Sequence, residues 1–215
     1  MKKLILIVIV TLAAANLVNG QKGEMVPKPP KKVSAVVKRE NIFLTTWGVK
    51  SVDLPDNLAE RRSEIHPNQH DDVTWNDCSV SWERNPKKTG PKIFEVKVSI
   101  TTWDVPFAKI APDIKPELAT PENFLQIDVM ADLRNKEEKN SPTLEAGYHE
   151  IDGVTGGLTI IRDPGDKTRV IAIWETFRFY KTKPQRVMVQ VTADPSQRAA
   201  ATKIIDSLRL EKPVP

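Results

Sequence analysis

The chain has 215 residues, a formal net charge of +4 and a pI near 9.1. A basic total would suit a nucleic-acid binder, but residues 1–39 hold eight lysines and arginines against one acid, which leaves 24 bases and 27 acids from residue 40 onward. That mildly acidic body excludes the concentrated basic surface nucleic acid demands, and 40% apolar residues with five tryptophans exclude a disordered chain.

Met1, Lys2 and Lys3 precede an unbroken apolar and small-residue run from Leu4 to Ala15, and Val18-Asn19-Gly20 follows. This charged, greasy, small order predicts a cleavable secretory signal peptide over residues 1–20. Cleavage after Gly20 puts Val18 and Gly20 at the two positions where a peptidase needs small side chains; cleavage after Ala15, using Ala13 and Ala15, is the competing site. A spanning helix needs about 20 apolar residues, and Asn16 and Asn19 cut this run short. No cysteine stands near the cleavage site to carry a lipid. The expectation is an exported chain, periplasmic or secreted, with no transmembrane helix after processing. The sequence contains no Asn-x-Ser/Thr acceptor, which points to a bacterial envelope.

Residues 21–39 set Pro27, Pro29 and Pro30 among lysines, the composition of an extended, solvated tether. Residues 22–39 would give peripheral contact with an anionic envelope surface, or act only as a spacer. Residues 40–215 are expected to form a single domain. Asn41 to Trp47 is β-prone. In Thr74–Trp82, Cys78, Val80 and Trp82 alternate with Asp77, Ser79 and Ser81, the period-two pattern of a half-buried strand. In Lys92–Trp103, Phe94, Val96, Val98 and Ile100 alternate with Glu95, Lys97 and Ser99 in the same way. Both strands have one wet face, and the turn-rich Asn85–Pro91 makes them a hairpin. Cys78 is the only cysteine, so no internal disulfide supports the fold.

Thr120 before Pro121 is a helix start, and Phe124, Ile127, Met130, Ala131 and Leu133 recur at helical spacing, predicting a helix over 121–137. Leu158–Arg162, Arg169–Tyr180 and Arg186–Ala193 follow as an antiparallel meander of three strands, the first turn at Asp163-Pro164-Gly165-Asp166. In the middle strand Val170, Ala172 and Trp174 share one face and Ile171, Ile173, Phe177 and Phe179 the other, so both sides need cover. Asp194-Pro195-Ser196-Gln197 starts a final helix that carries Ala201, Ile204, Ile205 and Leu208 to about Leu210. One helix covers one face, and the helix at 121–137 is the natural cover for the other. The fold class is therefore α+β, a three-layer α/β/α sandwich around a mostly antiparallel sheet.

The hairpin around DPGD, the strand VIAIWETFRFY, the strand RVMVQVTA and the closing helix ending KIIDSLRL resemble the PsbP-like α/β/α sandwich family. The likeness covers about residues 150–211, with the upstream half only in outline, and the stretch 104–120 and the long strands upstream stand outside it. The resemblance implies a small, exported, non-enzymatic binding or assembly module.

Glu64, His66, His70, Asp71 and Asp72 offer imidazole and carboxylate ligands to zinc or another transition metal within one short stretch, read as a polar loop because Pro67 disfavours a helix there. His149 stands beside Glu150, an acid that could orient an imidazole, but no serine sits in a nucleophile elbow and Cys78 falls on an apolar strand face. Gly153-Val154-Thr155-Gly156-Gly157 lacks the spacing of a dinucleotide or phosphate loop and reads as a turn into the strand at 158. FLTTWGV at 43–49 and SITTWDV at 99–105 each place a tryptophan at a strand end, so Trp47 and Trp103 are the candidates for a binding face. The functional expectation is a non-catalytic binding or assembly module of the cell envelope, with no cofactor, taking a protein partner or a small ligand. The alternative is a metal-dependent hydrolase using His66, His70 and Asp71 or Asp72.

Overall fold

Alternation of apolar and polar residues dominates residues 36–138 and 141–212, which the computed structural model describes, and most of them are in strands. In chain order the elements are β1 (Val36–Arg39), α1 (Ile42–Thr46), β2 (Val49–Pro55), β3 (Leu58–His70), β4 (Val73–Arg84), β5 (Ile93–Trp103), α2 (Phe107–Ile110), α3 (Pro121–Glu137), β6 (Thr143–Ile151), β7 (Val154–Arg162), β8 (Val170–Tyr180), β9 (Lys183–Ala193), α4 (Arg198–Asp206) and β10 (Arg209–Leu210). The signal peptide expected over 1–20 and the tether as far as residue 35 lie outside the described residues. Among the described residues no helix is long and apolar enough to cross a membrane.

Seven strands form one antiparallel sheet in the order β3-β4-β5-β9-β8-β7-β6. A smaller antiparallel sheet, β1-β2-β10, shares no ladder with it. The fold is thus α+β with mostly antiparallel pairing, and all described residues belong to one compact unit.

The ladder register assigns each side chain to a face. Trp82, Val98, Val189, Trp174 and Leu158 share one face with Cys78, Val80, Ile100, Val187, Ala172 and Ile160, all of them buried. Ala201, Ile204 and Ile205 of α4, Val49, Val52 and Leu54 of β2 and Leu44 of α1 complete this core. Burying one such aliphatic side chain stabilises by about 1.5–3 kcal/mol, so this core is the main source of stability. Helix α3 packs on the other face: a Cβ added to Gly157 would lie 2.8 Å from Val129 and 3.6 Å from Leu125.

Several local elements differ from the sequence reading, each for a physical reason. Val36–Arg39, expected in the tether, pair with Val52–Pro55 as an edge strand. Asn41–Trp47 is a short helix because the Asn41 side chain accepts from the Phe43 N–H as an N-cap, outweighing the β-prone composition. The meander gains a fourth strand, β6, joined to β7 by Asp152-Gly153, where both residues have positive φ (53° and 77°) as a tight hairpin requires. Gly156 and Gly157 lie inside β7, not in a turn. The Trp174 ring sits where a Cβ of Gly156 would be, 2.4 Å away, so these glycines allow close packing on both faces. The final helix ends at Asp206, and Arg209–Leu210 turn back to pair with β2.

Candidate functional site

Helix α3 spans Pro121–Glu137 as its spacing predicts, with Thr120 Oγ1 accepting from the Asn123 N–H at its N-cap. The face it presents to the sheet differs from the expected stripe. Leu125 and Val129 are buried, whereas Ile127 and Met130 are 52% and 43% exposed. Asp128 and Asp132 also turn inward. The Thr159 hydroxyl on β7 donates to Asp132, and Asp128 stands within electrostatic reach of Glu175 on β8 and Arg186 on β9. Carboxylates on the buried side of a helix cost stability and are sparing in ordinary cores, so this position marks a candidate site.

Arg186 Nε donates to Glu175 Oε2 at 2.7 Å, and its guanidinium lies 5.9 Å from the Phe177 ring centre. Burial pushes the Asp128 carboxyl up from its ordinary value of 3.8 to about 6; the Glu175 charge adds to the shift, Arg186 opposes it, and Asp132 adds to it. One carboxyl of this group therefore changes charge near pH 6.

Beyond this cluster α3 no longer covers the sheet. Helix α3 lies against β6, β7 and β8, and across β9, β5, β4 and β3 the same face carries half-buried polar residues. Gln190, Lys97 and Ser81 follow one another across the strands, as do Met188, Ser99, Ser79 and Glu64 in the neighbouring row. The wet faces expected for β4 and β5 are this surface.

Trp75 and Trp103 are directly opposed in the β4–β5 ladder at one end of it. Trp75 Nε1 donates to Asp77 Oδ2 at 3.1 Å, Asn68 Nδ2 donates to the same oxygen at 2.8 Å, and Thr101 Oγ1 donates to Asp77 Oδ1 at 2.7 Å. Asp77 thereby fixes the indole and is itself fully engaged. Trp103 adjoins a cluster in which Phe107 of α2 meets Phe124, Phe177 and Phe179 with ring centres 4.9, 6.3 and 5.4 Å away, Trp103 itself lying 6.3 Å from Phe107. The stretch 104–120 thus anchors its one buried aromatic, Phe107, at the rim of the open face.

Of the residues singled out from sequence, Trp103 belongs to this surface and Trp47 does not. Trp47 packs against the buried core on the opposite side; its carbonyl accepts from Gln185 Nε2, and its indole N–H is buried without a partner among the described residues. The two Thr-Thr-Trp copies are therefore not one binding face: one ends a helix and the other a strand.

His66 and His70 lie on β3, not in a loop, and four steps along the strand separate them by about 13 Å. His66 Nε2 is 2.6 Å from Glu64 Oε2. Asp71 and Asp72 form the tight turn to β4, where Asp72 meets Lys109 Nζ at 3.1 Å and its carboxyl is held below the usual range by that bond. Among the described residues no three His, Cys, Asp or Glu side chains are gathered closely enough to hold a metal ion. His149 lies within β6 and meets Asp206 of α4 at 2.7 Å, not Glu150, because neighbouring strand residues point to opposite faces. Burial raises the Cys78 thiol to about 11, which keeps it protonated and unreactive.

No protein-family model and no curated protein sequence matches the chain. Among solved structures it is similar to a crystal structure from Bacteroides thetaiotaomicron VPI-5482, with a TM-score of 0.40 and 13% identity over 75% of this chain; it spans 45% of that one. It is also similar to the solution structure of cyanobacterial PsbP (CyanoP) from Synechocystis sp. PCC 6803, with a TM-score of 0.36 and 8% identity over 87% of this chain and 99% of that one.

Proposed function

We propose that this chain is an exported, non-catalytic binding module of the cell envelope, a PsbP-like three-layer α/β/α sandwich whose partner or ligand docks on the uncovered half of the large sheet. The observation that carries the reading is the asymmetry of cover. One face of the sheet is sealed by α4, α1 and the small sheet, while α3 shields only the β6–β8 part of the other and leaves an aromatic-ended polar surface beside it. Binding, not turnover, suits the chemistry present: the thiol is buried, the imidazoles at 66, 70 and 149 stand on separate parts of the surface, and each of His66 and His149 is engaged by a carboxylate and not by a hydroxyl nucleophile.

A photo-crosslinking side chain placed at Ser99, at the centre of the open face, tests this in the producing cells. A discrete adduct is expected from position 99 and not from position 203, on the opposite side in α4. Equal, diffuse labelling from both positions, or turnover of a substrate by the purified chain, would overturn it.

A further inference from the structure

The proposed docking surface has a composition that selects its ligand class. Its centre is made of small hydroxyls and an amide, Ser79, Ser81, Ser99, Thr101 and Gln190, with Lys97 and Asp77 among them and Met188 as the large apolar side chain. The other charges pair with one another, Arg186 with Glu175 and His66 with Glu64, and Asp77 is held by Asn68, Trp75 and Thr101. A protein helix would bury these hydroxyls without the apolar centre that interfaces use. Nucleic acid needs a row of unopposed bases, which Lys97 by itself does not make, and a lipid surface needs an apolar stripe flanked by lysine or arginine.

A sugar chain satisfies the surface as it stands. Its hydroxyls exchange bonds with water for bonds with Ser, Thr and Gln at little net cost. Its C–H faces pack on indole rings, which combine large apolar area with a polar edge. Asp77 holds the Trp75 ring in place through the Nε1 bond at 3.1 Å and ties it to Thr101 on the next strand, so the aromatic end is built before any ligand arrives. The four uncovered strands span about 14 Å, room for a short oligosaccharide laid across them.

We infer that the open face of β9, β5, β4 and β3 binds a neutral polysaccharide, stacking it on Trp75 and Trp103 and hydrogen-bonding it through the serine and threonine rows. This rests on the open-face reading given under Proposed function. Electrophoresis of the full chain through gels containing β-glucan, α-glucan, xylan or mannan, and co-sedimentation with chitin or cellulose, tests it. At least one of these is expected to retain the protein, with affinity falling about tenfold in Trp103→Ala through loss of a stacked ring. Because Trp103 also touches Phe107, Ser99→Arg provides a second variant that leaves the aromatic cluster alone and blocks the face; it should lose binding while melting cooperatively. The inference fails if no saccharide retains the wild type, or if Ser99→Arg binds as tightly. An adduct with a protein from position 99, with no saccharide bound, would remove the sugar and leave the docking face; absence of both would remove both.

Discussion

Asp128 shows how one side chain records an unusual environment. Its folded pKa of about 6 exceeds the ordinary 3.8, so between those values the folded chain keeps a proton that the unfolded chain has released. Stability is therefore expected to fall as pH rises from about 4 to about 6, and to level off above. Asp128→Asn should abolish this component and stabilise the protein at neutral pH by about 1 kcal/mol, screening at the half-buried site keeping the figure modest. Urea midpoints of both chains at about pH 4 and pH 7.5 check it; identical pH slopes would contradict it. Arg178 makes the opposite case. Buried in β8, it donates to Gln185 Oε1, to the Glu211 carbonyl and to the Gly48 carbonyl at 2.8, 3.0 and 3.0 Å, fastening both ends of the domain to the sheet. Arg178→Met should cost about 3 kcal/mol, because it leaves those acceptors buried and unpaired, read as a lowered urea midpoint. Neither residue is legible in sequence: Asp128 reads as a polar position on a helix and Arg178 as a solvent-facing interruption of VIAIWETFRFY. What each meets is set by partners far along the chain.

Among elements, strands with strict alternation are legible, because a period of two leaves one choice of face. Helix α3 is placed by its N-cap and proline, yet its buried side differs from the stripe its spacing suggests. Its apolar residues lie all round it, Leu125 and Val129 inward and Ile127 and Met130 outward, so periodicity alone gives no direction. β3 escapes detection for a similar reason. As the edge of the sheet it carries charges, Pro67 and two histidines in place of an apolar face, as an edge strand must to avoid further pairing. Two substitutions test the packing of α3 and β7. Thr120→Ala should cost about 1 kcal/mol through the lost cap. Gly156→Ala should cost about 2 kcal/mol or more, because its methyl meets the Trp174 ring and the neighbouring backbone. Denaturant midpoints with unchanged slopes would give both values, and a neutral Gly156→Ala would show that Trp174 does not pack there.

For the whole molecule, the apolar pattern of β8 demands cover on both faces, and the chain supplies two helices for it. Periodicity does not reveal that a seven-stranded sheet is wider than one helix, so that α3 leaves the β3–β5 side of its face uncovered. Trp103 stands where its strand ends on that surface; Trp47 shares the motif but not the environment. The function proposed here stands on that uncovered surface, and thiol labelling of Ser99→Cys addresses it most directly, with buried Cys78 as the unreactive internal reference. In the purified protein the thiol introduced at position 99 should be labelled far faster than Cys78, and in intact producing cells it should be strongly protected by whatever binds the face. Slow labelling of the purified protein, or equal labelling in both settings, would contradict the account.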